Sequence, residues 1–350
     1  MGYSEKESTM RHSENQEGLP SKVKQLSARL RQIPVLAGTV LTAMALTLVS
    51  CKEETAYVFS YFDTIHAAAG LCLAYSYDGY HWRALNGNQP ILSPNVGKDK
   101  LMRDPSINQA PDGTFHMVWT TSWHQDLIGY ASSPDLINWS EQKAIPVMKD
   151  YQNVQNCWAP ELFYCKEERC YYILWASTVS NSEENERAGR EDPTRLDCNK
   201  IYCTTTTDFE TFTPTRLYFD KPYAIDAAVV QDPVTDEYVM VVKDDPAGVD
   251  MHATRTKSMA EGFPTEMVSA IQDDENKEGP SPIFLNDTDL LVFYDRYMLH
   301  KYGAVLSRDH GDTWENVTEQ IRMPEGMSHG TALKVNRKVV KKLIKAYGEE

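Results

Sequence analysis

The segment Lys277-Glu278-Gly279-Pro280-Ser281-Pro282-Ile283-Phe284-Leu285 places one carboxylate directly before a Gly-Pro turn and then continues into an apolar strand. A carboxylate at the start of a buried strand is costly unless it is paired or used. A polar residue near the start of an apolar run recurs four more times, at Asp104-Pro105-Ser106-Ile107, Ala159-Pro160-Glu161-Leu162-Phe163, Asp226-Ala227-Ala228-Val229-Val230 and His329-Gly330-Thr331-Ala332-Leu333. The successive polar residues Asp104, Glu161, Asp226, Glu278 and His329 are 57, 65, 52 and 51 positions apart. This quasi-regular spacing indicates a radial repeat whose polar residues meet at one place.

A second repeat accompanies the first, with a hydroxyl residue, then Asp or a turn, then an aromatic residue. It occurs at 76–82, 132–139, 205–212 and 307–314, and in degenerate form at 256–263. Strand segments rich in β-branched and aromatic residues separate the two signals, at 57–61, 115–120, 171–176, 238–242 and 290–294. Each unit therefore predicts a four-stranded antiparallel sheet with an Asp-containing turn between its outer strands.

We predict an all-β fold, a five-bladed β-propeller that ends in one short C-terminal helix at Arg337–Tyr347. Residues 331–335 are expected to supply the innermost strand of the blade whose outer strands come from residues 57 to about 90. The N- and C-terminal strands would then close the ring. The alternative, a two-sheet sandwich with regular turns, does not explain why a polar residue begins the same strand five times.

The composition narrows the class of partner. The chain of 350 residues is 41% hydrophobic and 24% charged, as expected for a folded protein with a substantial core. Its 50 acidic residues outnumber 35 basic ones, which gives a formal net charge of -15. This charge argues against a nucleic-acid partner, because binding to a phosphate backbone needs a basic face. We expect a monomer that binds a neutral or cationic ligand.

Residues 1–51 are interpreted as a disordered leader with a lipoprotein signal, and residues 52–350 as the propeller with its helix. A largely apolar stretch at 33–50 follows four basic residues and ends in Leu48-Val49-Ser50-Cys51, an order typical of a secretory signal. The last four residues resemble a bacterial lipobox. This implies an exported protein that carries lipid on Cys51 and is anchored to the outer membrane, on its periplasmic or cell-surface face. The alternative is a single membrane-anchoring helix, which the length barely allows.

Six cysteines remain besides Cys51. Cys165 and Cys170 flank a hairpin tip, so the two can face each other across two strands, and export permits disulfide bonds. Cys198 with Cys203 is a weaker candidate pair. No Cys or His spacing in the sequence matches a zinc site.

Strand direction places the loops between the second and third strands of each blade at the face where the inner strands begin. These loops fall at 63–70, 122–126, 179–200, 244–250 and 295–302, and the third is long and highly charged. A long loop within a compact repeat is usually functional or disordered. Three side chains from these and neighbouring segments are therefore expected near the polar strand starts: Trp123, Trp158 and Arg296.

Asp104, Asp226 and Glu278 in one pocket would repel one another, and their pKa values would be pushed apart. One ionised base and one protonated acid can then coexist at the same pH. Glycoside hydrolysis uses such a pair on opposite sides of the scissile bond, with Trp and Tyr stacked on the sugar and Arg on its hydroxyls. The alternative for any single Asp is that it caps a strand end through backbone hydrogen bonds, and the recurrence at five positions weakens that alternative.

The series Arg103-Asp104-Pro105-Ser106, Trp158-Ala159-Pro160-Glu161, Ile225-Asp226-Ala227, Glu278-Gly279-Pro280 and Ser328-His329-Gly330 resembles glycoside hydrolase family 43. So do the runs Ala74-Tyr75-Ser76-Tyr77-Asp78-Gly79 and Ala84-Leu85-Asn86. The resemblance covers roughly residues 55–347 in the right order. It implies a five-bladed enzyme that inverts anomeric configuration and removes arabinofuranosyl or xylosyl units from plant polysaccharides.

Carried over by position, the resemblance implies that Asp104 is the general base and Glu278 the general acid. Asp226 would be the carboxylate that orients the acid and raises its pKa. His329 would help to hold a calcium ion through water, as in some members of the family, and no other cofactor is expected. Glu161 is expected only as a further polar lining residue.

Two rival functions stay open. One is a related propeller enzyme that cleaves sucrose or fructans and retains configuration through an Asp nucleophile, and the lack of an Asn-Asp-Pro-Asn opening counts against it. The other is a catalytically silent surface lectin that uses the pocket only to bind glycan. The presence of all three carboxylates disfavours the lectin.

Overall fold

Twenty β-strands and one longer α-helix form the part of the chain that the structure, a computed structural model, describes: residues 54–63, 70–179, 199–244, 250–273 and 275–349. In chain order the strands are β1 (Thr55–Asp63), β2 (Cys72–Ser76), β3 (Arg83–Ala84), β4 (Arg103–Gln109), β5 (Phe115–Thr120), β6 (Ile128–Ser133), β7 (Lys143–Ile145), β8 (Trp158–Cys165), β9 (Cys170–Ser177) and β10 (Lys200–Thr206). They continue with β11 (Arg216–Phe219), β12 (Ile225–Gln231), β13 (Tyr238–Lys243), β14 (Asp250–Thr256), β15 (Ser269–Gln272), β16 (Glu278–Phe284), β17 (Leu290–Arg296), β18 (Lys301–Ser307), β19 (Glu315–Asn316) and β20 (Met327–Asn336). The helix α1 spans Arg337–Tyr347.

The strands form five four-stranded antiparallel sheets, which are the blades of a propeller. Blade 1 has the order β20-β1-β2-β3, and blades 2 to 5 take the remaining strands in chain order, four to a blade. The inner strands β20, β4, β8, β12 and β16 contact their neighbours around the axis, including β16 with β20, so the ring is closed. The predicted five-bladed fold is therefore confirmed.

Both ends of the propeller contribute to blade 1, as predicted. In the pairing of β20 with β1, Thr331 stands opposite Ser60 and Val335 opposite Ala56. Gly330 allows this close approach, because a Cβ there would lie 1.7 Å from the Ser60 carbonyl oxygen. The helix α1 follows directly and buries Val340 and Leu343 against the core of blades 1 and 2.

The predicted Asp-containing turns join the third and fourth strands of four blades. In blade 2 the Asp135 Oδ1 accepts hydrogen bonds from the backbone N–H groups of Ile137 and Asn138, at 3.0 and 2.8 Å. Asp78, Asp208 and Asp309 accept from backbone N–H groups in the same way. The degenerate copy in blade 4 has Ser258 in place of the aspartate, and its backbone N–H donates to Thr256 Oγ1 at 3.2 Å.

Each inner strand carries a one-residue β-bulge near its start. In β4, Arg103 pairs with Thr120 and Ser106 pairs with Val118, so three steps along β4 match two along β5. The inner strands β8, β12, β16 and β20 shift register at the same place. The second bulge residue has left-handed backbone in four of them, with φ of 51° at Asp104, 47° at Ala159, 56° at Asp226 and 60° at Gly279. Such bulges re-aim side chains beside active sites.

The bulge register corrects the expectation that the five polar residues occupy equivalent positions. We number each inner strand from the last residue that is paired before the register shift, so the first residue paired after it is position four. Position one is occupied by Arg103, Trp158, Ile225, Glu278 and Met327. On that count Glu278 stands at position one, Asp104 and Asp226 at position two, His329 at position three and Glu161 at position four. Sequence spacing shows that a polar residue lies near each strand start, but an inserted bulge residue changes the direction of each later side chain.

Position four of the bulge ties neighbouring inner strands together. Its side chains accept hydrogen bonds from backbone N–H groups of the next inner strand: Ser106 from Leu162 at 3.0 Å, Glu161 from Val229 at 3.4 Å and Ser281 from Ala332 at 2.8 Å. These contacts connect β4 to β8, β8 to β12 and β16 to β20. Glu161 therefore belongs to the seam between blades.

The predicted leader, with Cys51, lies outside the described residues. Within the described ranges, no helix has both the length and the apolar character needed to cross a membrane. Cys165 stands directly opposite Cys170 across β8 and β9, as predicted, and both thiols are free. Cys198 lies outside the described residues, so its pairing with Cys203 stays a prediction.

Candidate active site

A cavity of about 320 Å³ opens where the inner strands begin. It is lined by Arg103, Asp104, Thr120, Trp123, Trp158, Ile225, Asp226, Lys243, Glu278, Tyr297 and His329. The three carboxylates predicted to be catalytic are all present, together with both predicted tryptophans. Four of the five inner strands contribute lining side chains from bulge positions one or two, and β20 contributes the His329 side chain from position three.

Asp104 is held as a carboxylate by its surroundings. The Thr120 hydroxyl donates to Oδ2 at 2.7 Å, and His329 Nδ1 lies 3.3 Å from Oδ1. Burial raises the pKa of Asp104, but the contact with His329 and its positive charge, with Arg103 and Thr120, bring that pKa below its ordinary value. An ionised carboxylate that faces a cavity can accept a proton.

Asp226 is more deeply buried and has a different charge environment. Its Oδ2 accepts a hydrogen bond from the Gly279 N–H at 3.0 Å, the peptide that follows Glu278. Burial, opposed by His329 and reinforced by the negative charges of Glu278 and Asp104, raises the pKa of Asp226 to about 6. Asp226 is therefore placed to orient the backbone that carries Glu278.

Glu278 forms an ion pair that the sequence analysis missed. Lys243 Nζ donates to Glu278 Oε2 at 3.0 Å, and the same ammonium lies 4.9 Å from the centre of the Tyr297 ring. Burial lowers the pKa of Lys243, but Glu278 and Asp226 bring it above its ordinary value. The available signal was position, because Lys243 ends the apolar strand β13 at the face where the inner strands begin.

His329 lies between the two aspartates. Its Nδ1 is 3.3 Å from Asp104 Oδ1 and 3.8 Å from Asp226 Oδ2. Burial lowers its pKa, but the charges of Asp226, Asp104 and Glu278 raise the pKa of His329 to about 9, so the ring is an imidazolium at neutral pH. Gly279 leaves room for this ring, since a Cβ there would lie 2.5 Å from His329 Cγ.

The role of His329 in holding a calcium ion through water stays a prediction. The Nδ1 of His329 is directed at the carboxylates of Asp104 and Asp226. Among the described residues, no group of three His, Cys, Asp or Glu side chains is arranged to hold a metal ion.

Two tryptophans and an arginine form one wall of the cavity. The Trp123 and Trp158 rings meet edge to face with centroids 6.2 Å apart, and Trp158 Nε1 donates to the Trp123 carbonyl at 2.9 Å. Arg103 lies between the rings of Trp123 and Phe62, at 4.6 and 4.4 Å from their centres. Trp123 is 49% exposed, so part of its ring remains accessible. Arg103 was quoted in a sequence motif but not identified as a site residue.

Arg296 does not line this cavity, contrary to expectation. Its Nε and Nη2 both donate to Asp273 Oδ2, at 3.0 and 2.6 Å, and Tyr294 donates to the same oxygen. Arg296 lines a separate polar depression beside β15, whereas the next residue, Tyr297, faces the catalytic cavity. β17 ends at Arg296, and the cavity is reached only by the first residue of the following turn.

Glu161 also lies outside the cavity that holds the other carboxylates. It lines a second cavity of about 320 Å³ along the propeller axis. The Ser106 hydroxyl donates to its Oε2 at 2.7 Å, and burial raises the pKa of Glu161 to about 7. Glu161, expected as a further polar lining residue, therefore lines this second cavity and not the one that holds Asp104, Asp226 and Glu278.

The fold and the cavity together define a β-propeller with a carboxylate-lined sugar-sized site. Residues 53–340 match the model of a glycosyl hydrolase 43-related family, described as a probable glycosyl hydrolase domain. The chain therefore belongs to this family 43-related group of glycosyl hydrolases. No curated protein matches the chain at a significant level.

Several solved structures resemble the chain. A thermostable family-43 glycoside hydrolase has 16% identity and a TM-score of 0.48, over 61% of this chain and 71% of that one. An exo-beta-1,3-galactanase from Phanerochaete chrysosporium has 13% identity and a TM-score of 0.48, over 63% and 50%. An alpha-L-arabinofuranosidase from Lactobacillus brevis has 17% identity and a TM-score of 0.46, over 62% and 72%.

Proposed function

We propose that this protein is an inverting glycoside hydrolase that removes arabinofuranosyl or xylosyl units from plant polysaccharides or oligosaccharides. The observation that carries the proposal is the meeting of Asp104, Asp226 and Glu278 in one cavity, each with different partners. Different surroundings separate the protonation behaviour of neighbouring carboxyl groups, and such separation is what acid–base catalysis requires.

In the proposed reaction Asp104 is the general base. Its carboxylate takes a proton from water while the water oxygen bonds to the anomeric carbon. The glycosidic C–O bond breaks, and Glu278 donates a proton to the departing oxygen. Asp226 orients the acid through its hydrogen bond to the Gly279 N–H at 3.0 Å. Attack by water on the face opposite the leaving group inverts the anomeric centre.

The dimensions and lining of the cavity support a small sugar unit. A volume of about 320 Å³ lies at the lower end of the ~300–1,000 Å³ range of ligand pockets. The partly exposed Trp123 offers an aromatic face to a sugar ring. The choice of arabinofuranosyl or xylosyl units comes from the family resemblance.

The test is hydrolysis of a panel of nitrophenyl glycosides and of arabinan and xylan oligosaccharides, with Asp104→Asn protein as the matched control. Proton NMR should show that the first-formed sugar has the anomer opposite to that of the substrate. The same anomer first would favour the retaining fructan-type enzyme. Glycan binding without hydrolysis by wild-type protein would favour the lectin.

We also propose export with a lipid anchor on Cys51, supported by the Leu48-Val49-Ser50-Cys51 segment that follows the apolar stretch. Replacing Cys51 with Ala should release the protein from the membrane fraction. A Cys51→Ala protein that stays in the membrane fraction with its leader intact would instead indicate a plain membrane anchor.

A further inference from the structure

Lys243 contacts Glu278 in the cavity but has no role in the reaction proposed above. Lys243 is buried, with 8% of its surface exposed, and its ammonium lies 3.0 Å from Glu278 Oε2. The ring of Tyr297, 4.9 Å from the ammonium, covers another side of the cation. A buried lysine that touches a cavity carboxylate from this distance acts on its charge as well as on its position.

Groups of both signs face Glu278 from the surrounding strands. Asp226 on β12 and Asp295 on β17 are carboxylates, and Tyr302 lies on β18. Burial together with the charge of Glu278 raises the pKa of Asp295 to about 7. The cations are His329 on β20 and Lys243 on β13. Glu278 is therefore surrounded by charges of both signs, and Lys243 is the cation in direct contact with it.

We propose that Lys243 is a further positioning residue of the reaction, which fixes Glu278 Oε2 and limits the pH range over which Glu278 can donate a proton. The contact leaves the other carboxyl oxygen of Glu278 for the departing glycosidic oxygen. The inference rests on the proposed function, in which Glu278 is the general acid. Lys243 is a cation and Asp226 is an anion, so their electrostatic effects on the acid have opposite signs.

The activity test compares Lys243→Met and Lys243→Arg with wild type in the pH dependence of kcat/KM. Loss of the positive charge favours protonated Glu278, so the basic limb of Lys243→Met should move upward by about 1–3 pH units. Lys243→Arg keeps the charge and should keep the limb near its wild-type place. A limb that is unchanged or moves downward in Lys243→Met would overturn the proposal.

A second measurement needs no activity, so it separates failure of this inference from failure of the proposed function. Thermal unfolding is followed from pH 5 to pH 9 for wild type, Lys243→Met, Glu278→Gln and the double variant. The coupling between the two positions should grow as pH rises, because the unpaired Glu278 carboxylate is then ionised in Lys243→Met. A coupling that does not vary with pH would show packing alone and overturn the proposal.

Lys200→Met provides a matched control. Lys200 also pairs with a carboxylate, with its Nζ 2.6 Å from Asp220 Oδ1, but it does not line the cavity. Its loss should leave the basic limb of kcat/KM in place. An equal shift in Lys200→Met would show a general effect of lost charge and contradict the specific role of Lys243.

Discussion

Asp104 and Glu161 lie on the neighbouring inner strands β4 and β8, yet they have opposite chemical characters. Asp104 stands at position two of its bulge, between the Thr120 hydroxyl and the His329 ring. Glu161 stands at position four of the next bulge and receives hydrogen bonds from Ser106 and the Val229 N–H. Burial raises the pKa of both, but the pKa of Asp104 ends below its ordinary value and that of Glu161 at about 7.

The difference comes from the counter-charge, since both carboxyl groups are largely removed from water. At position two the left-handed backbone directs the side chain into the cavity, where His329 faces it. At position four the side chain enters the seam between blades, where Ser106 and the Val229 N–H donate to it and the charge of His329 has a smaller effect than burial. Neutral hydrogen bonds lower the pKa of a buried carboxyl group too, but at Glu161 they do not outweigh burial, whereas at Asp104 the contact with His329 and the charges of His329 and Arg103 do. Two steps along a bulge therefore separate a proposed base from a structural carboxyl group.

The largest expected effect is on turnover. Asp104→Asn removes the group that activates water, so kcat should fall by about 10²- to 10⁴-fold, whatever the leaving group. Glu161→Gln changes a carboxyl group of the same ring outside the cavity and should leave kcat nearly unchanged. Steady-state kinetics on one natural and one activated substrate measures both. Equal damage by both substitutions would show that bulge position does not separate their roles.

Glu278→Gln extends the comparison to the position-one carboxylate. A general acid matters only as far as the departing oxygen needs a proton. Turnover of natural oligosaccharides should therefore fall by up to about 10⁴-fold, while an activated dinitrophenyl glycoside keeps much of its rate. If Glu278→Gln slows both substrates equally while Asp104→Asn depends on the leaving group, the two proposed roles are reversed.

The repeat pattern predicted the blade number, the turn aspartates and the closure by both chain ends, because each of these depends on local sequence signals. It also placed Asp104, Asp226 and Glu278 at one opening, since inner strands of a propeller all begin at the same end. It could not give the bulge register, which decides the direction of each side chain after the strand start. Glu161 was aligned with the aspartates for that reason.

Two errors in the predicted site, the placement of Arg296 and the omission of Lys243, have specific physical reasons. Arg296 is the last residue of β17 and Tyr297 the first residue of the turn that follows, and of the two only Tyr297 lines the cavity. Lys243 comes from β13 and meets Glu278 on β16 only after blades 4 and 5 pack together. No spacing in the sequence predicts a contact between groups 35 residues apart on neighbouring blades. Such contacts belong to tertiary packing.

His329→Gln removes the counter-charge that distinguishes Asp104 from Glu161. Without the imidazolium the pKa of Asp104 should rise, so the acidic limb of the kcat/KM profile should move upward by about 1–3 pH units. Thr120→Val is a suitable control, because it removes the neutral hydrogen bond to Asp104 and leaves the charge of His329. A larger shift in Thr120→Val than in His329→Gln would contradict the primary role of the counter-charge.

The smallest effect concerns stability and falls on Glu161. Its pKa is about 7 in the folded protein against an ordinary value of 4.5, so between these values the folded state binds more protons than the unfolded state. Stability is therefore lost as pH rises through this window, by up to about 3 kcal/mol. Glutamine at this position imitates the protonated carboxyl group and does not ionise. Glu161→Gln should match wild type near pH 4.5 and unfold several degrees higher at pH 8.

Asp104→Asn should show the opposite sign at pH 8, because a carboxylate with a lowered pKa contributes stability when ionised. Thermal unfolding across this pH range measures both, and a Glu161→Gln protein no more stable than wild type at pH 8 would mean that the ionised Glu161 has a counter-charge after all.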